Sequence, residues 1–381
     1  MNYALFDTFL VMIVIDLGSS LLKIVFTGCE GHPEAIALDP QLVSDVSAQQ
    51  ISSRMDEYGN DALRSAWVEV EGQTYAAGEF AIDLSGRQYH ELGKWQDLLP
   101  RVLIILGLIS HRLQRTEGFQ AQIALCMPRD EVKPPDRESR ISAIIAAAQH
   151  FQFRGQMLEC EIDIKVVTEG AGLFATQAVN LERQGVNPSS ATIPVLMGGE
   201  RNTSLLVYRS GKINPSLSSS DGNGFYKFAD QVRKSAGVPI GLSELIRAIA
   251  QGQHKLRIAG NERIDIADFV TDVLEGYTSA IRKYLKAKLP SEDIYLIAGG
   301  GAVSLIWNQL DPWFSALEIP ATYIGTIMEQ ELKHLLSQHP SEFDLIRSPG
   351  LLIRFADALG IYKSMAARQP QKPIKKITAA R

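Results

Sequence analysis

The chain has 381 residues, 45% of them hydrophobic and 21% charged, which is ordinary globular composition with apolar material for two domains at roughly 150 residues each. Its net charge of -5 excludes a body that binds nucleic acid by charge alone. Cys29, Cys126 and Cys160 form no metal-spaced pair and cannot close an even disulfide framework, so reduced thiols in a cytoplasmic protein are expected.

Residues 1–11, MNYALFDTFLV, lack a basic leader and a small-residue cleavage site. They read as an extension outside the fold, or as an upstream start, with aromatic and aliphatic residues that also suit a short interfacial membrane anchor. Met12 to Phe26 reads as two strands joined by a turn, and Ala66 to Glu79 alternates in period two as more strand. A helical region is predicted from about Tyr89 to Gln114. Within it LLPRVLIILGLIS is too short for a membrane span and is broken by Pro100 and Arg101, so it reads as a buried helix.

The strand AQIALCMP follows, then a helix through ESRISAIIAAAQHF and a hairpin over FRGQMLECEIDIKVVTE. GLFATQAVNLERQ is helical, TIPVLMGGERNTSLLVY is a second strand, turn and strand, and Gly224 to Gly252 is helical again. Between Asp265 and Leu285, residues Ile266, Phe269, Val270, Val273, Leu274, Tyr277 and Ile281 step by three and four and form one apolar helix face. The strand DIYLIAGGGA, helices from Gly301, Thr326 to Ser337 and Gly350 to Ala366, and a basic flexible tail at 369–381 complete the chain. The tail carries Lys372, Lys375, Lys376 and Arg381, which suit solvent, or anionic lipid at about 1 kcal/mol per basic residue.

The strand, glycine turn and strand around Gly18 recur around Gly198, an interval of 198 − 18 = 180 residues. Two similar halves would bring two glycine turns together across a cleft. In DLGSSLLK, Gly18 permits a sharp turn and the amides of Gly18, Ser19 and Ser20 can converge on a phosphate. Asp16 is placed to hold the water shell of Mg²⁺ and Lys23 to reach bridging phosphate oxygens. The same residues also make an ordinary hairpin. Gly299, Gly300 and Gly301, before Ala302 and a helix, suit close approach of backbone to an adenosine or α-phosphate, or a loose helix start. Glu169, ahead of Gly-Ala-Gly, either compensates a helix dipole or orients an attacking water.

Taken in order, these segments resemble the actin, Hsp70 and sugar-kinase superfamily, and within it the ParM-like bacterial actins of the plasmid-segregation type. IDLGSSLLK resembles the first phosphate loop, CMPRDE the strand-and-Pro segment, and FQFRGQMLECEIDIKVVTEGAG the hairpin leading to the catalytic glutamate. LMGGERNTSLLVY resembles the second phosphate loop, LIAGGGAVSL the adenosine motif and FDLIRSPGLLI the returning segment. The resemblance runs from Met12 to about Leu359. It implies an α/β, actin-like (RNase H-like) two-domain fold with a duplicated mixed sheet and a nucleotide cleft between the domains. Domain I would take 12–167 with a returning segment at 351–368, and domain II 168–350.

On this resemblance Glu169 would be catalytic, and Gly18, Ser19, Ser20, Lys23, Gly198, Gly199 and Asn202 would bind phosphate. Gly299, Gly300, Gly301 and Ala302 would bind the nucleotide, ATP or GTP, with Mg²⁺ held by Asp16 through water. Base contacts would come from the region of Gly241 to Ile249. The second loop departs from the pattern, with Leu196 where the family has an aspartate and Glu200 and Arg201 where it has polar residues. Glu200 or Asn202 is left to compensate, so slow hydrolysis is expected. The implied function is a cytoplasmic filament that polymerises with nucleotide, disassembles on hydrolysis and segregates plasmid DNA through a DNA-binding adaptor. Alternatives are a filament for cell shape or membrane organisation, reaching the membrane through the N-terminal extension or the tail, and a non-polymerising nucleotide-binding scaffold.

Overall fold

The apolar runs on either side of Gly18 fold as strands Val11–Leu17 (β1) and Leu22–Thr27 (β2), antiparallel, with Asp16 opposite Lys23 and Leu17 opposite Leu22. Almost every side chain in them is buried, as befits strands covered on both faces. The computed structural model describes residues 10–86, 93–259, 262–339 and 352–369. Most of the N-terminal extension, most of FDLIRSPGLLI and the basic tail lie outside the described residues.

Strand Pro33–Leu38 (β3) joins β2. Leu42–Ser44 (β4), helix Ala48–Tyr58 (α1), strands Trp67–Val70 (β5) and Gln73–Ala77 (β6), and helix Glu79–Ser85 (α2) follow. The β5–β6 hairpin turns on Glu71 and Gly72, with φ of 53° and 76°, a two-residue turn whose twist suits a hairpin. Helix Leu98–Arg112 (α3) is buried from Val102 to Ser110, as its unbroken apolar run predicts. It starts later than the sequence suggests: Asp97 sits at φ 54° and Gly93–Asp97 form a turn. Strand Gln120–Met127 (β7), helix Arg137–Ala148 (α4), and strands Phe151–Phe153 (β8), Gln156–Leu158 (β9) and Glu161–Thr168 (β10) come next.

The segment read as one hairpin is divided between two sheets. β8 and β9 pair with each other in a small antiparallel sheet of order β4-β6-β5-β8-β9, whereas β10 runs parallel to β7 in the main sheet, β10-β7-β1-β2-β3. Period-two alternation reports strand, not partner, and Cys160 marks the change of sheet.

Helix Ala171–Arg183 (α5) leads to strands Thr192–Gly198 (β11), Thr203–Arg209 (β12), Lys212–Ile213 (β13) and Ser219–Asp221 (β14). Helices Phe225–Ala236 (α6) and Leu242–Ala250 (α7), hairpin Lys255–Ala259 (β15) and Glu262–Asp265 (β16), and helix Ala267–Lys288 (α8) follow. Strand Leu296–Gly299 (β17), helix Gly301–Ala316 (α9), strand Ala321–Tyr323 (β18) and helix Ile324–Ser337 (α10) precede a last described helix, Ala356–Arg368. On α8, Ile266, Val270, Tyr277 and Ile281 are buried and Phe269, Val273 and Leu274 pack beside them, as their spacing predicts.

The second large sheet has the order β13-β12-β11-β17-β18, with β14 also on β12. β11 is antiparallel to β12 and parallel to β17, which is parallel to β18. This repeats the directions of β1, β2, β7 and β10, so the duplication inferred from two glycine turns extends to sheet topology. Alternate residues of each strand face different cores. In β1, Ile13, Ile15 and Leu17 pack with α3, while Val14 faces a middle layer with Leu173 of α5 and the 356–368 helix. In β11, Val195 faces that middle layer and Leu196 the outer core with α6, α8 and α9.

That alternation corrects the alignment of the two loops. Asp16 is on the Val14 side of β1, whose counterpart in β11 is the Val195 side, which places Met197 opposite Asp16. Each hairpin then has four residues beyond its last pair, Leu17 with Leu22 and Gly198 with Thr203. The structural interval is 197 − 16 = 181 residues, and Leu196 is turned into the outer core.

Candidate functional site

The two glycine loops face each other across a cleft of about 510 Å³ between the large sheets. All the residues assigned to catalysis, phosphate, metal or nucleotide by the sequence line it except Gly299, which is lodged against Leu173 and Ile324. Met197 lines it and Leu196 does not. Ser19 Oγ donates to Glu200 Oε2 at 3.3 Å, so the first loop is hydrogen-bonded to the second. Opposite the loops, Ile246, Ile249 and Ala250 of α7 give the cleft an apolar wall beside Gly301 and Leu305, suited to the face of a nucleotide base.

The glycines serve close packing as well as access. A Cβ on Gly300, whose φ is 92°, would lie 2.4 Å from Gly198 O, and one on Gly198 would lie 2.7 Å from Val303 N. The adenosine-type turn and the second loop therefore touch backbone to backbone. Gly301 has room for a Cβ, with Arg354 carbons at 3.6 Å.

At the base of the cleft, Asp16 ends β1 and is almost completely buried. Lys23, its cross-strand partner, hydrogen-bonds Asp16 Oδ2. Lys94 Nζ lies 3.1 Å from Asp16 Oδ1 and also donates to Glu169 Oε1. Burial opposes the Asp16 charge, but Lys23 and Lys94 outweigh it and hold the carboxyl at about 2. Burial likewise opposes the Lys94 ammonium, and Glu169 and Asp16 outweigh that, raising it above the ordinary lysine value. The stability this contributes at Asp16 is present above about pH 4 and is lost as pH falls towards 2.

These contacts test the expected metal. Both oxygens of Asp16 are taken by ammonium groups, and the second loop presents the thioether of Met197 where the symmetric carboxylate would stand. Among the described residues no group of three His, Cys, Asp or Glu is placed to hold a metal ion. The described residues offer no set of direct ligands for a divalent metal, and Asp16 would meet one only through water.

Glu169 follows β10, its amide bonded to Met127 O at 2.9 Å, and its side chain is 25% exposed, towards the cleft. Just behind it, Gly170, with φ 88°, caps α5. The cap acceptor comes from the far end of the chain: Asp357 takes hydrogen bonds from the amides of Gly170 and Gly172, both at 2.8 Å, and of Leu173 at 3.2 Å. Arg354, half-buried, donates through Nη2 to Ser20 Oγ at 2.5 Å. Lys94, Arg354 and Asp357 were not found by sequence reasoning. A lysine just before a buried helix and an arginine and aspartate flanking Phe355 carry no motif, and each reaches the site through a long-range contact.

Burial raises the Asp357 carboxyl to about 6, even though the Gly170 and Leu173 amides favour its charged form. Its folded value is above the ordinary 3.8, so the folded state binds the extra proton and this group stabilises the fold less as pH rises from about 4 to 6. The difference corresponds to roughly 3 kcal/mol at 1.36 kcal/mol per pKa unit. Thermal midpoints measured from pH 4.5 to 6.5 should therefore fall more steeply for the wild type than for Asp357→Asn, and parallel slopes would remove Asp357 as the cause.

No protein-family model and no curated protein matches the sequence. Among solved structures the chain is similar to an archaeal actin homologue, with a TM-score of 0.61 and 15% identity over 94% of this chain and 100% of that one. It is similar to a subunit of a 15-stranded ParM filament from Clostridium botulinum (TM-score 0.60, 14% identity, 94% of this chain and 99% of that one). It is also similar to Bacillus thuringiensis ParM with AMPPNP (TM-score 0.58, 14% identity, 93% and 99%). The chain has an actin-like fold of the ParM type.

Proposed function

We propose that this chain is a nucleotide-dependent, filament-forming actin-like protein of the ParM type, polymerising with ATP or GTP and disassembling on slow hydrolysis. The observation that carries the reading is the pair of opposed glycine loops over a carboxylate and lysine cluster, in a fold otherwise seen in a ParM with AMPPNP and in a ParM filament. The amides of Gly18 to Ser20 and of Gly198 and Gly199 bind phosphates, Lys23 neutralises them, and Gly300 to Ala302 with the α7 wall take the nucleoside. Glu169 orients the attacking water. Mg²⁺ comes as the counter-ion of the nucleotide rather than as an ion held by protein carboxylates.

The halves at 12–167 with 351–368 and at 168–350 act as the two domains, joined where α5 crosses the 356–368 helix. Closure on nucleotide presents a head-to-tail surface, and a contact that does not close on itself makes a filament. Loss of the γ-phosphate then needs to weaken each contact by only about 1 to 3 kcal/mol. Because the body is acidic, a plasmid cargo is reached through a DNA-binding adaptor. No helix among the described residues is long and apolar enough to cross a membrane. Met197 in place of a second carboxylate favours one other reading, a scaffold that holds nucleotide without polymerising.

Right-angle light scattering with parallel phosphate release, on adding ATP or GTP with Mg²⁺ to purified protein, separates the two. Scattering should rise above a threshold concentration and decay as phosphate appears. Nucleotide binding with flat scattering at every concentration would leave the scaffold and end the filament reading.

A further inference from the structure

Phosphate sites normally offset the charge of a triphosphate with a divalent ion held near carboxylates. Here a side chain occupies that position. Lys94 lines the cleft, its ammonium lies between Asp16 and Glu169, and its third contact, to Cys126 O, is long at 3.4 Å. An ammonium has three donors, so two are committed to carboxylates and the third can be turned to a phosphate oxygen without breaking a strong bond.

The placement is built into the fold. The Lys94 amide donates to Glu131 Oε2 at 2.7 Å, Trp95 Nε1 donates to Glu131 O at 2.6 Å, and Arg140 Nη1 donates to Trp95 O at 2.9 Å. The turn carrying Lys94 is thus fastened by three bonds to the segment after β7 and to α4. Its side chain is 12% exposed, so the charge is delivered from a nearly closed position rather than from a mobile surface arm.

We propose that Lys94 supplies from within the chain the positive charge that a divalent ion supplies in metal-held phosphate sites, so that the cleft takes a nucleotide's phosphates with little dependence on Mg²⁺. This rests on the nucleotide reading above. It also accounts for the lack of a carboxylate at Met197: with the charge covalently attached, the second loop has no metal-bound water to hold.

The test is binding, not turnover. Fluorescently labelled ATP is titrated by anisotropy into the full chain and its Lys94→Met and Lys94→Arg variants, in Mg²⁺ and in excess EDTA, with thermal melts confirming folding. Wild-type affinity should change by less than about threefold between the two buffers. Lys94→Met should lose about tenfold or more in EDTA, the scale of one charge-assisted hydrogen bond, and regain most of it in Mg²⁺. Lys94→Arg should behave as wild type. A wild type that loses about tenfold in EDTA overturns the proposal, whether or not Lys94→Met folds, and so does a Lys94→Met protein with the wild-type ratio. Wild-type protein that binds in neither buffer overturns the nucleotide reading itself, and this inference with it.

Discussion

Glu169→Ala should release phosphate about 10² to 10⁴ times more slowly than the wild type while still assembling with nucleotide. That range is the usual contribution of one positioned acid–base group. Glu169 is placed for the role by two constraints that do not involve each other: β10 runs parallel to β7 up to Thr168 opposite Met127, and α5 starts at the very next turn. The carboxylate is left partly exposed in the cleft while its backbone is fixed. Alanine is the informative replacement, because glutamine keeps a carbonyl that can still hold a water. On the proposed function assembly uses the glycine loops, which make no hydrogen bond to the Glu169 side chain, and Lys94 keeps its bond to Asp16 when Glu169 is removed, so scattering should rise as before and then persist. Single-turnover phosphate release, followed beside scattering, decides it. A rate within about threefold of wild type would remove Glu169 from the water-orienting role.

Gly172→Ala should be among the most damaging glycine-to-alanine changes in the described structure. A Cβ there would lie 1.9 Å from Asp357 O and 2.8 Å from Ile361 N, and one on Gly360 would lie 2.4 Å from Gly172 O. Helix α5 and the 356–368 helix therefore cross with their backbones in contact, and neither offending atom is a side chain that can swing away. Relief requires the helices to separate, which pulls Asp357 from the amides of Gly170, Gly172 and Leu173 and opens the joint between the two sheets. The cost is about 3 kcal/mol or more, or a fall of about 5 °C or more in the thermal midpoint. Gly276→Ala is the control. Gly276 lies within α8 with nothing within 4 Å of the added methyl, so the same substitution should stabilise by about 0.5 to 1 kcal/mol. If the two variants melt together, the crossing is looser than the backbone distances state.

The sequence by itself determined the parts whose signal is local. Apolar runs around Gly18 and Gly198 gave both hairpins, the step of three and four residues gave the face of α8, and the unbroken run from Val102 to Ser110 gave a buried helix. The glycine turns, read with those elements, were enough for the fold and for the loops that face each other across the cleft. Tertiary structure alone decided which charges meet. Lys94 reaches Asp16 across 78 residues, Asp357 reaches Gly170 across 187, and Arg354 reaches Ser20 across 334. It also decided that Met197, not Leu196, stands opposite Asp16, since the two halves present opposite parities of strand residue to their shared middle layer. The physical reason is the same in each case. Periodicity and turn chemistry are properties of a few consecutive residues, whereas parallel pairing and helix crossing set the facing and company of a side chain through partners far away in the chain.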